Sequence, residues 1–309
     1  MRCTIEAPCK INLHLKVGDK RPDGFHDLES IFAALAFSDS LSFEIVGKDG
    51  NLSFEMSGGI IPQEKNLVCR AVSLFREKTG FDKGLRIHLY KRIPVGAGLG
   101  GGSSDAASSL LALNFLSGSA FSKEELLEMA VVLGSDVPFF LSGGAAWVSG
   151  RGEIIEPIET AQGLWVVLAK PSFSSDTAYA YKLLDQARAL EEREKRTEER
   201  LAKKVLVRAL AENPKTWPFS NDFLPIFLSS IINAENNTAA AAYMAILEKF
   251  NKLGASFTGL SGSGSCCFGV FKDRKEAENA EISLKTLNGY QIFTQLTFFL
   301  ASLAIPVLQ

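Results

Sequence analysis

Five glycines fall within seven residues in the stretch Lys91-Arg92-Ile93-Pro94-Val95-Gly96-Ala97-Gly98-Leu99-Gly100-Gly101-Gly102-Ser103-Ser104-Asp105-Ala106-Ala107, and two serines and an apolar run follow. Glycine loses more backbone freedom on ordering than any other residue, so this density suits a place where side chains must be absent and the backbone must approach something closely. Backbone N–H groups leading into the positive end of a helix form an anion site. The chemistry expected of residues 94–104 is therefore phosphate binding. Gly96-Ala97-Gly98-Leu99-Gly100-Gly101 also satisfies GxGxxG, but Pro94 interrupts the strand-to-turn junction and the chain before Leu85 does not read as a βαβ unit, which weakens a dinucleotide reading. A Walker A loop is excluded, because no Lys-Ser or Lys-Thr follows the last glycine. A ligand-free flexible turn is the plain alternative. Asp105 is expected in the first helical turn, stabilising the helix dipole; the alternative is that it helps hold Mg²⁺ near the phosphates.

The elements that must position this loop can be read from periodicity. Leu85 to Tyr90 is strand-like, and Ser103 to Leu116 reads as the helix that the loop opens. Lys10 to Val17 alternates polar and apolar residues, the mark of a half-buried strand. Leu41 to Val46 and Leu52 to Met56 read as strands around a Lys48-Asp49-Gly50 hairpin turn. Asn66 to Lys78 carries a helical apolar stripe, and Lys123 to Leu133 is a helix with a Ser122/Glu125 capping box. Short strands are expected around Ala145 to Val148, a turn at Arg151-Gly152-Glu153, and a buried strand at Trp165 to Ala169. Glu191 to Arg196 has opposite charges four residues apart, a solvated helix face. The run Phe293 to Leu308 reads as a final buried strand and tail. The fold class is α+β with mixed sheets, divided at about 1–160 and 161–309.

With 309 residues, 46% hydrophobic, and a formal net charge of −2, the composition is that of a globular protein. It argues against nucleic-acid binding, which shows a basic excess. The five cysteines (Cys3, Cys9, Cys69, Cys266 and Cys267) have no CxxC spacing, and with three histidines they suggest reduced thiols, with no metal-binding cluster. No signal core or membrane span is read, so the expected location is the cytoplasm.

Three segments together resemble the GHMP kinase superfamily: Pro94 to Ala107, Ala7-Pro8-Cys9-Lys10-Ile11-Asn12-Leu13, and Leu260-Ser261-Gly262-Ser263-Gly264-Ser265. Lys20-Arg21-Pro22-Asp23-Gly24-Phe25-His26, Gly134-Ser135-Asp136-Val137-Pro138-Phe139-Phe140 and Ser220-Asn221-Asp222 are similar to a branch acting on a cytidine diphosphate-linked polyol in the non-mevalonate isoprenoid pathway. The resemblance runs from about residue 7 to 271; Cys9, Phe25, Ser135 and Asp176 stand where Ala, Tyr, Ala and Ser are usual. It implies a two-domain α+β fold with the active site in the inter-domain cleft. It also implies ATP-dependent phosphorylation of a hydroxyl, with Mg²⁺ and a small cytidine diphosphate substrate, by a monomer or homodimer that binds neither nucleic acid nor membrane.

On this resemblance Asp136 is the general base, and Lys10 neutralises it and the transferring phosphoryl group. By pattern alone, Asp136 could be a cap or turn residue and Lys10 an edge-strand lysine. Asn12, two residues from Lys10, shares its strand face and is expected to orient substrate. Nucleotide contacts are expected from Asn66, Lys91, Pro94, Val95, Gly96, Ala97, Gly98, Leu99, Gly100, Gly101, Gly102, Ser103 and Ser104. A helix N-cap and a surface lysine are the plain readings of Asn66 and Lys91. Gly262 and Ser263 are expected to position substrate, or else to form a tight strand turn. A cytosine ring would stack between Phe25 and Tyr181, with His26 at its edge and Thr177 four residues before Tyr181 on one helix face; alternatively these are core aromatics and a turn residue. A homoserine or mevalonate kinase of the same superfamily, and a non-catalytic nucleotide-binding regulator, remain rival readings.

Overall fold

The computed structural model describes residues 1–47, 50–58, 61–191, 201–229, 237–287, 289–303 and 305–308. Two residues of the expected hairpin turn, 48 and 49, lie outside the described residues, as does the charged stretch beyond residue 191. In chain order the elements are β1 (Arg2–Lys20), β2 (His26–Gly47), β3 (Leu52–Ser57), α1 (Leu67–Thr79), β4 (Gly84–Tyr90), α2 (Gly101–Leu116), α3 (Lys123–Leu133), β5 (Ala145–Gly150) and β6 (Ile154–Ile158). There follow β7 (Trp165–Pro171), α4 (Thr177–Glu191), α5 (Lys203–Ala209), α6 (Phe223–Leu228), α7 (Asn237–Lys252), β8 (Phe257–Leu260), β9 (Cys267–Phe271), α8 (Arg274–Lys285), β10 (Ile292–Phe298) and β11 (Val307–Leu308).

Two sheets result. The first has the order β11-β1-β2-β4-β3, with β5 pairing both β2 and β6; the second has the order β10-β7-β9-β8. The long β2 pairs with β1 on one side and with two strands on the other, β5 along Leu28–Ala33 and β4 along Ser40–Gly47. The expected hairpin between β2 and β3 does not form. Instead β3 pairs in parallel with β4, and β4 lies between β3 and β2. The reason is that α1 intervenes between β3 and β4, and a crossover helix joins parallel neighbours. Leu85, Ile87 and Leu89 are fully buried, which suits β4 to the inner position, while β3 alternates exposed and partly buried residues as an edge. The Ser122/Glu125 capping box is present as expected. Among the described residues no helix is long and apolar enough to cross a membrane.

The alternation of residues 10–17 predicts one wet face, and the structure differs. Lys10, Asn12 and His14 are as buried as Ile11, Leu13 and Leu15, because β1 is covered on both faces: the second sheet packs on the apolar residues, and the glycine loop, Ser261 and Ser220 close over the polar ones. Cys9, Ile11 and Leu13 join one apolar cluster with Val166, Leu168 and Phe268 of the second sheet, and Leu15 and Val17 join another with Val167 and Phe271. A register shift between Asn12 and His14 interrupts the β1–β2 ladder. Such irregularities re-aim side chains beside functional sites. The C-terminal run also departs from expectation. Strand β10 is an edge with Phe293 and Phe298 exposed, and the tail returns to the first sheet, pairing Val307 and Leu308 with Thr4 and Cys3.

Burying polar side chains requires partners. His14 Nδ1 accepts the Ser220 N–H at 3.2 Å. Burial, aided by Lys16 and opposed by Asp222, lowers the imidazole pKa from 6.5 to about 4. Between those values the unfolded chain binds the proton and the folded chain does not, so this contribution to stability is lost as pH falls through the window. His14→Asn retains an acceptor and should not lose it. In denaturant titrations the wild type should lose on the order of 3 kcal/mol more than the variant between about pH 7 and about pH 4. An identical pH dependence for the two would show that His14 is not held neutral.

Candidate active site

The glycine loop is built on a buried ion cluster. Asp39 of β2 accepts the backbone N–H groups of Arg92 and Ile93 on Oδ1, at 2.5 and 2.8 Å, and the Lys91 ammonium on Oδ2. Lys91 Nζ also lies 2.8 Å from Asp105 Oδ2. The cluster therefore ties the chain entering the loop to the helix leaving it. Helix α2 begins at Gly101, so Asp105 lies beyond its first turn. Its partner is Lys91, and the expected role in stabilising the helix dipole gives way to this ion pair. Lys91 is neither a surface lysine nor open to direct contact from above, since its charge is held beneath the loop. Burial disfavours the Lys91 ammonium, but Asp105 and Asp39 outweigh it and raise its pKa. Burial raises the Asp105 pKa to about 7, with Lys91 opposing and Asp39 adding to the rise.

The loop is closed from the other side by the β8–β9 connection. Gly98 has φ +74°, and a Cβ there would stand 2.1 Å from the Ser261 carbonyl oxygen. Ser261 Oγ donates to the Gly98 carbonyl at 2.8 Å and accepts the Asn12 N–H at 3.3 Å. Lys10 N–H donates to the Leu99 carbonyl at 2.9 Å and Cys266 N–H to the Ala97 carbonyl at 3.1 Å. Ala97 and Leu99 point inward, while Val95 is exposed and Pro94 and Gly96 border the cleft. Gly101 packs against Ile93 and Lys91 beneath the loop, whereas the Cβ direction of Gly102 meets only Leu67, at 3.7 Å. Ser103 and Ser104 lie in the first turn of α2, and Ser104 Oγ is buried without a hydrogen-bond partner. Asn66 caps α1, accepting the Val68 N–H at 2.9 Å, so its amide oxygen is occupied by the plain role.

Lys10 joins the remaining polar residues. Its Nζ donates to Asn12 Oδ1 at 2.6 Å, lies 3.5 Å from Asp136 Oδ2, and stands 4.3 Å from the centre of the Phe32 ring. Asn12 Nδ2 donates to Ser30 Oγ at 3.0 Å. Asp136, in the turn after α3, keeps its side chain 34% exposed while Lys10 is buried. An accessible carboxylate is thus fixed by a shielded ammonium.

On the far wall, Thr177 Oγ1 and Ser263 Oγ are 3.0 Å apart, and Asn221 Nδ2 donates to the carbonyls of Leu260 and Gly262 at 2.7 and 2.9 Å. The His26 and Tyr181 rings are 5.2 Å apart with a 31° tilt. The edge role expected for His26 meets competition, because Nδ1 faces the Gly18 carbonyl at 3.0 Å and Nε2 faces Asp185 Oδ1 at 3.3 Å. Phe25 is 55% exposed and carries the Arg151 guanidinium 5.1 Å from its ring centre, apart from the Tyr181 ring. Burial, with Asp136 adding and Arg188 opposing, raises the Tyr181 pKa to about 12. Sequence reasoning missed Asp39 and Asp185. Asp39 had a signal, a lone acid flanked by Phe37 and Leu41; Asp185, four residues after Tyr181 on the same helix face, had one only once Tyr181 was placed.

Gly98→Ala should cost roughly 1–3 kcal/mol through strain and separation of the two loops, and Gly102→Ala should stay within about 0.5 kcal/mol of wild type. Thermal and denaturant unfolding of the two variants gives the comparison; equal stabilities would refute the backbone contact as the closure.

Two family patterns match the chain: GHMP kinases N terminal domain over residues 66–144 and GHMP kinases C terminal over residues 239–286. A chloroplastic 4-diphosphocytidyl-2-C-methyl-D-erythritol kinase of Mentha piperita is 46% identical over 186 residues, covering 59% of this chain and 46% of that one. The matched region thus spans about half the length of the plant relative. The kinase of the same name from Synechococcus sp. is 38% identical over 288 residues, covering 92% of both chains. A crystal structure of 4-(cytidine 5'-diphospho)-2C-methyl-D-erythritol kinase superposes with a TM-score of 0.75 at 31% identity, covering 95% of this chain and 98% of that one. Homoserine kinase from Cytophaga hutchinsonii shares the fold, with a TM-score of 0.71 at 18% identity, covering 99% of this chain and 97% of that one. With the two-sheet α+β architecture and the glycine loop already in place, this chain belongs to the 4-diphosphocytidyl-2-C-methyl-D-erythritol kinase family of the GHMP kinases.

Proposed function

We propose that the chain transfers the γ-phosphoryl group of ATP to the 2-hydroxyl of 4-diphosphocytidyl-2-C-methyl-D-erythritol, giving the 2-phosphate and ADP. The observation that carries this reading is the position of Lys10: its ammonium bridges Asn12 and Asp136, and its stem lies against the loop, with Cγ 3.0 Å from the Cβ direction of Gly100. A proton acceptor, a charge stabiliser and a phosphate cradle are thus within one side chain's reach. Phosphoryl transfer requires these parts and little else.

The residues fit a nucleotide at the loop. Gly102 leaves open the space that a Cβ would fill, and the N-terminus of α2 offers unpaired N–H groups to an anion. The first turn of α2, Gly101 to Ser104, would hold the phosphates of ATP, and Mg²⁺ would neutralise part of their charge. Asp136 accepts the proton of the substrate hydroxyl as the new oxygen–phosphorus bond forms and the bond to the ADP oxygen breaks. Lys10 holds that carboxylate in place and opposes the charge on the transferring group. Asn12, oriented by Lys10 and Ser30, aligns the hydroxyl. Tyr181 and Phe25 supply faces for the cytosine ring, and Thr177 and Ser263 line the wall between base and loop.

Asp136→Asn should keep ADP affinity within a fewfold of wild type and lower kcat by about 10²–10⁴. A coupled ADP-release assay with the cytidine substrate, and with homoserine as the competing acceptor, measures this; near-normal turnover would remove Asp136 from the role of base. In the same assay Tyr181→Ala and Phe25→Ala should each raise KM for the cytidine substrate by about tenfold, as expected for loss of a base-stacking face, and leave KM for ATP nearly unchanged. Equal effects on both substrates would put the base elsewhere.

A further inference from the structure

The ion cluster under the glycine loop contains two carboxylates and one ammonium, all buried. Asp39 is saturated, with one oxygen on Lys91 and the other on two backbone N–H groups. Both of its oxygens are thus taken by three donors, one of them the Lys91 ammonium. Asp105 is the surplus acid. Its Oδ2 faces Lys91, but Oδ1 is buried with no hydrogen-bond partner, and the neighbouring Ser104 Oγ is buried and unpartnered as well. Ionised, Asp105 would leave an unbalanced negative charge directly beneath a site for polyphosphate, an arrangement strongly disfavoured in a buried environment.

The surrounding charges do not relieve it. Lys10, across Gly100, is committed to Asn12 and Asp136. The Arg92 guanidinium is turned outward to Glu6 and Ser38. Among the described residues, the ion pairs of Asp105 are confined to Lys91. The buried residues of α1 and α3, the helices packed on α2, include Val68, Ala71, Val72, Met129 and Ala130, which are apolar.

We propose that Asp105 carries a proton whose uptake is coupled to nucleotide binding, and that it acts as a positioning residue for the phosphate loop through Lys91. This rests on the reading of residues 94–104 as the phosphate site. A polyphosphate above the loop adds negative charge close to Lys91 Nζ, which stands 3.2 Å from the Cβ direction of Gly101. That charge favours the neutral acid. By reciprocity, the neutral acid favours the nucleotide. The raised pKa of the free protein, about 7, fixes the sign. Below it, Asp105 is protonated with or without nucleotide, and affinity is flat. Above it, binding must bring a proton, and affinity falls by up to about tenfold per pH unit.

The test is calorimetric titration of the full chain with ADP at about pH 8, in two buffers of unequal ionisation enthalpy, with wild type and Asp105→Asn. Wild type should show a buffer-dependent heat corresponding to net proton uptake, and its ADP affinity should fall by up to about fivefold from pH 7 to pH 8. Asp105→Asn should show neither effect. ADP binding without proton uptake in wild type, or with the same uptake in the variant, overturns the inference and leaves the phosphate-site reading intact. No ADP binding to wild type overturns that reading, and the inference with it. Should Asp105→Asn not fold, infrared spectra of ligand-free wild type decide: a protonated-carboxyl stretch should be present at about pH 6 and gone by about pH 9, and its absence at the lower pH refutes the proposal.

Discussion

Two loops from different sheets meet backbone to backbone at Gly98 and Ser261, with no room for a Cβ between them. Much of the site depends on this contact. It sets the height of the glycine loop above β1 and draws the Ser261 hydroxyl to the Asn12 N–H. It also brings the polar wall of Ser263 and Thr177 to the same opening. Because the contact is made by main-chain atoms, it tolerates little variation in distance, unlike a contact between flexible side chains. The hydrogen bonds from Lys10 to Leu99 and from Cys266 to Ala97 extend the same closure on either side.

Two lysines of opposite character work within this frame. Lys91 is enclosed by carboxylates and supports the loop from beneath; Lys10 is shielded except toward Asp136, and its charge faces the cleft. The difference comes from the strands that carry them. Lys91 follows the end of β4, where Asp39 has already captured the turning backbone. Lys10 lies in the middle of β1, where the Phe32 ring covers one side of its ammonium. Both partners of the first lysine are buried with it, whereas the carboxylate beside the second is 34% exposed.

Much of this was legible in the sequence. Glycine density located the loop, the capping box located α3, and the two-residue spacing of Lys10 and Asn12 placed both on one face, where their side chains do meet. What was not legible depends on neighbours distant in the chain. Alternation in residues 10–17 signalled a wet face because local pattern cannot reveal the glycine loop and the segments at Ser220 and Ser261, which come later in the chain and cover it. The β2–β3 hairpin failed because α1, which comes later in the chain, decides which strand takes the inner position. Lys91 was expected at the nucleotide, or else at the surface, because its partners, Asp39 and Asp105, are 52 and 14 positions away and local pattern does not show them. His26 and Tyr181 were both identifiable, but their mutual approach, and the hold of Asp185 on the imidazole, required the docking of α4 onto the β1–β2 turn.

The closure at Ser261 also orders events in time during synthesis. Gly98 and Ser261 are 163 positions apart, and Asn12 and Ser261 are 249 apart. At ribosomal speeds of about 5–20 residues per second, the glycine loop leaves the decoding centre roughly 8–33 s before the segment that closes it. For that interval a nascent chain holds a phosphate loop and the strand bearing Lys10 but no opposite wall. Ser261 and Ser263, which meet the loop and Thr177 from the other side, are not yet made. Completion of the site therefore waits on assembly of the second sheet.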